Sequence, residues 1–216
     1  MRSGFRNRIE AGRILAEKLS SYRGRDDLLV LGLPRGGVPV AREIASALNA
    51  PLDVFVVRKL GVPGHEELAF GALAGGDVRV LNEEVVKGLQ LSDEAIDRVT
   101  DREREELKRR ERTYRAERDP HPVEGRVVMV VDDGLATGST MRAAIAALRS
   151  MDPSRVIVTV PVGAPSVCDL LRQEADDVVC ALTPEPMGAI SMFYEDFAQT
   201  SDEEVRRCLS DLEKEA

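Results

Sequence analysis

Apolar runs alternate along the chain with segments whose apolar residues recur at helical spacing. The runs that indicate strands lie at residues 28–33, 52–57, 127–131, 156–162 and 178–182. The helical patterns lie at residues 38–48, 141–148 and 165–172. Because the runs are apolar at almost every position, they are typical of parallel strands covered on both faces. The pattern therefore predicts an α/β fold, a doubly wound and mainly parallel five-stranded sheet, with ligands at the carboxyl ends of its strands.

Residues 92–119 differ in character, with ten acidic and nine basic residues. Glutamates precede arginines by four positions, as in Glu106 and Arg110, and few apolar residues separate the charges. This segment predicts a long, charged and mostly solvated helix inserted in the sheet domain. Further helical patterns, at 8–19 and from about 201, indicate covering pieces at the two ends. We expect one domain over residues 1–216, with a core of about 26–182.

Composition and charge exclude several classes of partner. The net charge of −8 and the pI of about 5.0 argue against a large nucleic-acid surface. The longest apolar runs are far too short to cross a bilayer, and the charged N-terminus lacks a signal-peptide core. The three cysteines show no short paired spacing, so neither a disulfide framework nor a zinc site is indicated. We expect a cytoplasmic protein that binds neither nucleic acid nor membrane.

Residues 127–141 carry the clearest chemical signal in the chain. An apolar strand runs into Asp132 and Asp133, then into a loop of small residues, then into a helix that begins near Ser139. Amides of such a loop and of the first helical turn can bind a phosphate. Carboxylates can bind sugar hydroxyls or water on Mg²⁺. The stretch indicates a site for a phosphorylated ribose; the alternative is an ordinary strand–turn–helix with a solvated acidic pair.

This stretch resembles the phosphoribosyl diphosphate (PRPP) signature of type I phosphoribosyltransferases. The match runs from Val128 to Thr140, apart from Gly134, where an apolar residue is commoner. The resemblance implies a Mg²⁺-dependent glycosyltransferase of nucleotide metabolism, with a Rossmann-like sheet. Such an enzyme moves 5-phosphoribosyl from PRPP to a nucleobase or similar nitrogen acceptor and releases diphosphate. Asp132 and Asp133 would hold the ribose diol, directly or through the metal. The residues that would bind the 5′-phosphate are Ala136, Thr137, Gly138, Ser139 and Thr140.

A second loop, Arg35-Gly36-Gly37, follows the first predicted strand. Two glycines let backbone amides approach a phosphate closely, and Arg35 adds a planar fork of donors. The loop resembles the diphosphate-binding loop of the same family, which implies a cis peptide bond between Pro34 and Arg35. The alternative is a tight turn with one surface arginine.

Arg58 and Lys59 follow the second predicted strand, at the same edge of the sheet. Residues 58–67 show no periodicity and are similar to the basic dipeptide and mobile loop of several type I enzymes. The resemblance implies that Lys59 meets the diphosphate, that Arg58 assists binding, and that the loop closes over the reacting bond to exclude water. The catalytic set would then be Asp132, Asp133, Arg35 and Lys59.

The sequence says less about the acceptor than about the donor. In the resembled family a hood built partly from the chain ends covers the base, here about residues 1–25 and 183–216. Phe193, Tyr194 and Phe197 could stack on a base or simply dock the tail, and both readings stay open. Enzymes for 6-oxopurines carry Asp at the position of Ala136, which argues against hypoxanthine and guanine.

Two other functions compete with the enzyme. A non-catalytic regulator of the same fold could sense PRPP or a nucleotide, although retention of Arg35 and Lys59 favours the enzyme. A nucleotide-sugar hydrolase would leave the loop at Arg35 unexplained. A homodimer is the habit of the resembled family, and the sequence itself does not determine the oligomeric state.

Overall fold

The computed structural model describes residues 4–75, 77–115 and 118–215, and all side chains in those ranges except 67 and 213–215. The strands are β1 Leu28–Gly32, β2 Leu52–Val54, β3 Val57–Val62, β4 His65–Ala74, β5 Val78–Leu81, β6 Val127–Val131, β7 Arg155–Val162 and β8 Asp177–Leu182. The helices are α1 Arg8–Lys18, α2 Gly37–Leu48, α3 Glu83–Gly88, α4 Asp93–Arg115, α5 Ser139–Arg149, α6 Pro165–Leu171 and α7 Asp202–Glu215. Within the described residues, no helix is long and apolar enough to cross a membrane.

The main sheet has five strands in the order β2-β1-β6-β7-β8, and every neighbouring pair is parallel. The predicted five-stranded parallel sheet is therefore confirmed. The order places β1 and β6 side by side at the centre, with Gly32 opposite Val131 in register. The two loops that leave these strands, after residues 32 and 131, consequently start next to each other at one edge.

Alternate residues of the central strands face two separate cores. On one face Leu28 and Val30 pack with Met129 beneath α1, α2 and α7. On the other face Leu29 and Val128 pack beneath α5 and α6. Both faces of each central strand are buried, which accounts for the continuous apolar runs in the sequence.

A second sheet of three antiparallel strands, β3-β4-β5, was not predicted. The prediction of an aperiodic loop at 58–67 is wrong: these residues form β3, the turn after it and the start of β4. Strand β2 also ends at Val54, three residues before the predicted end. The alternation typical of strands is hidden in β3 and β4 because glycines interrupt it. Gly61 lies at a shift in register, and an added Cβ at Gly71 would be 2.4 Å from a carbonyl oxygen of β5.

The chain ends cover the sheet as whole helices. Helix α1 packs on α2 and reaches β7 and β8, whereas α7 packs on α2, α4 and β2. The charged helix α4 ends at Arg115, and residues 116 and 117 of the predicted segment lie outside the described residues. Its inner face buries Ile96, Val99, Leu107 and Tyr114, together with the carboxylate-bearing Glu103. The inner face of α4 is therefore less solvated than its composition indicates.

The first residue of α2 is a glycine for a steric reason. A Cβ at Gly37 would lie 2.4 Å from the Val131 carbonyl oxygen and 2.8 Å from Asp132 Cα, both of them backbone atoms. We expect Gly37→Ala to lower the free energy of unfolding by about 1–3 kcal/mol, since the backbone must move. Urea denaturation measures this. The control Gly88→Ala meets nothing within 4 Å and should be neutral or slightly stabilising; equal effects of the two changes would contradict the steric argument.

Candidate active site

Two adjacent carboxylates follow the central strand β6. Asp132 and Asp133 are both partly buried, and the backbone N–H of Asp133 donates to Asp132 Oδ1 at 2.9 Å. Burial, and next the charge of Asp133, raise the pKa of Asp132 to about 8. Within the described residues, the second oxygen of Asp132 accepts no hydrogen bond. The pair therefore offers one carboxylate that gains from an added cation or hydroxyl donor.

Asp133 is held by an arginine from the N-terminal helix. Arg8 Nε and Nη2 lie 2.8 and 2.7 Å from Asp133 Oδ2, and the two side chains are 12% and 15% exposed. The same guanidinium donates to the Ala198 carbonyl oxygen at 2.8 Å and lies 4.0 Å from the centre of the Phe197 ring. Arg8 thus offsets one charge of the acidic pair and joins both chain ends to it.

The C-terminal aromatic residues dock the tail on the acidic loop. The Tyr194 hydroxyl donates to the Asp133 carbonyl oxygen at 2.7 Å, and its ring lies between Phe5 and Phe197. Burial is the main cause that raises the pKa of this phenol, so it stays a donor. Of the two open readings, docking describes Tyr194.

Gly134 is the position where the sequence departs from the family signature. A Cβ there would lie 2.6 Å from the Ile190 side chain, which belongs to the segment after β8. The segment rests directly on the acidic loop, and the usual apolar residue would collide with it. Two positions after Ile190, the side chain of Met192 is 75% exposed.

The glycine loop after β1 packs against the acidic pair from the other neighbouring strand. A Cβ at Gly36 would lie 1.9 Å from Asp133 Oδ2, so any larger residue would displace the Asp133 carboxylate from its position. The peptide bond between Pro34 and Arg35 is cis, as predicted. The structure therefore brings the predicted diphosphate loop and the acidic loop into direct contact.

The small-residue loop after the acidic pair ends at α5. Ala136, Thr137 and Thr140 are exposed, and Gly138 before the helix has φ of 72°, which favours glycine. The hydroxyls of Thr137 and Ser139 lie 3.1 Å apart. This arrangement leaves exposed amides and hydroxyls together at a helix N-terminus, as an anion site requires.

The three predicted cations separate in space. Lys59 Nζ donates to Ser139 Oγ at 3.3 Å, so this side chain lies at the small-residue loop. Arg58 instead makes two hydrogen bonds of 2.8 and 2.6 Å to Glu103 of α4. Arg35 Nη1 lies 3.6 Å from Asp202 of α7. Among the described contacts of these three side chains, only those of Lys59 reach the loop that follows the acidic pair.

The carboxylates of the site suit Mg²⁺ only if the substrate and water supply the remaining ligands. Among the described residues, no group of three His, Cys, Asp or Glu side chains could hold a metal. Mg²⁺, however, commonly binds one or two carboxylates and completes its shell with water and substrate phosphates. Asp132, whose second oxygen accepts no hydrogen bond among the described residues, fits that requirement once it has lost its proton.

Comparisons with known proteins agree with this geometry. A sequence model of the phosphoribosyl transferase domain matches residues 6–185. The chain belongs to this family. The Mycobacterium tuberculosis H37Rv protein called Putative phosphoribosyl transferase Rv0571c is 48% identical over 201 residues, which cover 93% of this chain and 45% of that protein. The chain thus spans less than half the length of that relative.

Two further similarities bear on the phosphoribosyltransferase domain. The crystal structure of TT1426 from Thermus thermophilus is 40% identical, with a TM-score of 0.89, covering 98% of this chain and 99% of that one. The Bifunctional protein PyrR of Leifsonia xyli subsp. xyli is 31% identical over 146 residues, 67% of this chain and 62% of that protein. The family and the fold predicted from the signature are confirmed, whereas the substrates and the roles of single residues stay predictions.

Sequence reasoning missed three residues in or beside the candidate site, namely Arg8, Glu103 and Ile190. Arg8 lies 125 positions from Asp133, and nothing in its helix distinguishes it from other arginines. The one available signal was Gly134, whose departure from the signature marks the position of Ile190.

The raised pKa of Asp132 makes stability depend on pH. The folded state keeps a proton that the unfolded state loses above its ordinary pKa of 3.8. Without divalent cations, we therefore expect the free energy of unfolding to fall as pH rises toward about 8, with a slope of up to about 1.4 kcal/mol per pH unit. Urea denaturation across this window should show a flatter dependence for Asp132→Asn and the wild-type dependence for the exposed control Asp26→Asn. A wild-type slope in Asp132→Asn would contradict the assignment.

The ion pair between Arg8 and Asp133 should stabilise the domain. We expect Arg8→Gln to lower the free energy of unfolding by about 2 kcal/mol, because it leaves a largely buried carboxylate without its partner. Arg8→Lys should recover part of the loss, since lysine keeps the charge but not the fork. The control Arg13→Gln, on the exposed side of α1, should change stability by less than about 0.5 kcal/mol, because Glu43 keeps Arg42 as a partner. Chemical denaturation measures all three, and equal losses for Arg8→Gln and Arg13→Gln would refute the assignment.

Proposed function

We propose that this domain binds PRPP and, with Mg²⁺, transfers its 5-phosphoribosyl group to a nitrogen acceptor with release of diphosphate. One observation carries the proposal. The acidic pair after β6 lies between the glycine loop at Gly36 and the small-residue loop that begins α5. A phosphorylated ribose with a diphosphate on C1′ needs these three features side by side: a diol site, a diphosphate loop and a phosphate loop.

Each part of the site has one task in this proposal. Residues 136–140 bind the 5′-phosphate, with the first amides of α5 and the hydroxyls of Thr137 and Ser139 as donors. Asp132 accepts from the ribose diol. Asp133 is oriented by Arg8 and lends its charge to the sugar. The backbone amides of Arg35 and Gly36, which donate no hydrogen bond among the described contacts, face the leaving diphosphate, whereas the amide of Gly37 donates to the Leu33 carbonyl oxygen.

The reaction is driven by charge separation. When the bond from C1′ to diphosphate breaks, positive charge builds on the ribose and negative charge on the leaving group. The carboxylates of Asp132 and Asp133 favour the cationic sugar, and the glycine-loop amides favour the departing anion. Fixing both ends of the sugar makes attack by the bound acceptor effectively intramolecular. The site needs no covalent nucleophile.

Mg²⁺ would be held by Asp132 together with oxygens of the substrate. When bound, it supplies positive charge that neutralises the diphosphate as it leaves. Lys59, which the resemblance predicted to meet the diphosphate, donates to Ser139 of the phosphate loop, so in this proposal its ammonium balances the 5′-phosphate instead.

One observation favours a second function, a PRPP-sensing regulator of the same fold. Two of the three predicted cations, Arg35 and Arg58, face Asp202 and Glu103 instead of the acidic loop. In these positions, fewer fixed positive charges face a leaving diphosphate than the enzyme hypothesis expects. The relative called Bifunctional protein PyrR has, by its name, two functions.

Calorimetry with PRPP and Mg²⁺ tests the donor site. We expect binding in wild type and an affinity at least about tenfold lower in Asp132→Asn, since a charged acceptor for the diol and the metal is lost. Asp26→Asn, an exposed carboxylate before β1, serves as the matched control and should bind like wild type.

A diphosphate-release assay over a panel of nucleobases then separates the two functions. Release with at least one base supports the transferase. Binding of PRPP without release for any base would favour the regulator. If wild type does not bind PRPP at all, both functions fail.

A further inference from the structure

We propose that a cavity on the flank of the glycine loop binds an oligophosphate as an effector, separately from PRPP. The cavity has a volume of about 290 Å³ and lies between the loop at Arg35, the last turns of α4 and the start of α7. Its charged and polar lining includes Arg35, Arg109, Arg110, Tyr114 and Asp202. No part of the proposed transfer reaction uses this cavity.

The charge of the cavity favours an anion. Three guanidinium groups converge on it, and two carboxylates partly balance them. Glu106 accepts from Arg109 at 2.7 and 3.0 Å and from Arg110 at 2.7 Å. Asp202 lies 3.6 Å from Arg35, longer than a hydrogen bond. One positive charge is therefore left over in a polar recess.

Donors also remain after these pairs form. A guanidinium carries five N–H donors, and Glu106 takes two from Arg109 and only Nε–H from Arg110. Among the described contacts, the two terminal nitrogens of Arg110 donate no hydrogen bond. Arginine forks match phosphate oxygens in geometry as well as in charge. The same forks pair with carboxylate, but a phosphate group carries the larger negative charge, so the excess positive charge of the cavity favours phosphate over carboxylate or a neutral ligand.

The size of the cavity narrows the ligand further. Sites that enclose drug-sized molecules have volumes of about 300–1,000 Å³. At about 290 Å³, this cavity lies at the lower limit of that range, which favours a short chain of phosphates over a whole nucleotide. Two sources share this chemistry, namely inorganic oligophosphate and the phosphate tail of a nucleotide.

The cavity communicates with the candidate active site through one residue. Arg35 lines the cavity, and the next residue, Gly36, touches the acidic pair at Asp133 Oδ2. An anion that replaces Asp202 as the partner of Arg35 changes what holds this loop. This coupling rests on the proposed function, because it predicts a change in the affinity for PRPP. The binding of the oligophosphate itself does not rest on the proposed function.

Calorimetry with inorganic triphosphate, without divalent cations, tests the site on the whole chain. The double variant Arg109→Gln/Arg110→Gln should weaken one binding event at least about tenfold, since charged donors are removed. Asp202→Asn should tighten the same event several-fold, because a competing carboxylate is lost, and misfolding cannot produce a gain. Arg112→Gln, an exposed arginine on the same helix, should bind like wild type.

The outcomes separate this proposal from its rivals. Unchanged affinity in the double variant, or no gain in Asp202→Asn, would overturn it. The proposal would also be overturned if the wild type formed a dimer and bound no triphosphate while the double variant was a monomer. A second copy of the chain would then fill the cavity. A nucleoside triphosphate that binds like inorganic triphosphate identifies the phosphates alone as the ligand; tighter binding identifies a nucleotide. If triphosphate binds as expected but PRPP does not, only the proposed function fails.

Discussion

The ion pair between Arg8 and Asp133 is the interaction on which the site depends. Two carboxylates in succession at the end of a buried strand repel each other and lose solvent, so one of them needs a fixed partner. Arg8 supplies it from α1 and at the same time contacts Ala198 and Phe197 near the other end of the chain. Helix α1, which covers the sheet, and the segment before α7 therefore also support the acidic loop.

This support divides the work of the two acids. Asp133 is oriented by its ion pair with Arg8, and its backbone carbonyl also accepts from Tyr194. Asp132 keeps an oxygen without a hydrogen-bond donor among the described residues and has a raised pKa. A bound cation or diol therefore stabilises the charged form of this carboxylate most. A sequence signature treats the two positions alike, whereas their surroundings make Asp133 a fixed element and Asp132 the responsive one.

Helix α4 shows how charge is distributed around the candidate site. Its outer face is solvated, but Glu103 pairs with Arg58 of β3, and Arg115 pairs with the buried Asp53 of β2. The helix fastens the second sheet to the first through these pairs and presents Arg109 and Arg110 beside the glycine loop. The transferase and the effector cavity would share one structural element, the loop from Leu33 to Gly37.

The sequence by itself determined the five strands, their parallel arrangement, the long helix and the loops that identify a phosphoribosyltransferase domain. These follow from periodicity and from small residues at close approaches, which neighbouring positions record. Only the tertiary structure decided that Arg8 holds Asp133, that Arg35 and Arg58 turn toward α7 and α4, and that Ile190 rests on Gly134. It also decided the second sheet, where glycines and charges obscure the alternation of β3 and β4. The physical reason is that a long side chain reaches whichever partner the packed helices bring near, and separations of tens of residues leave no periodic trace.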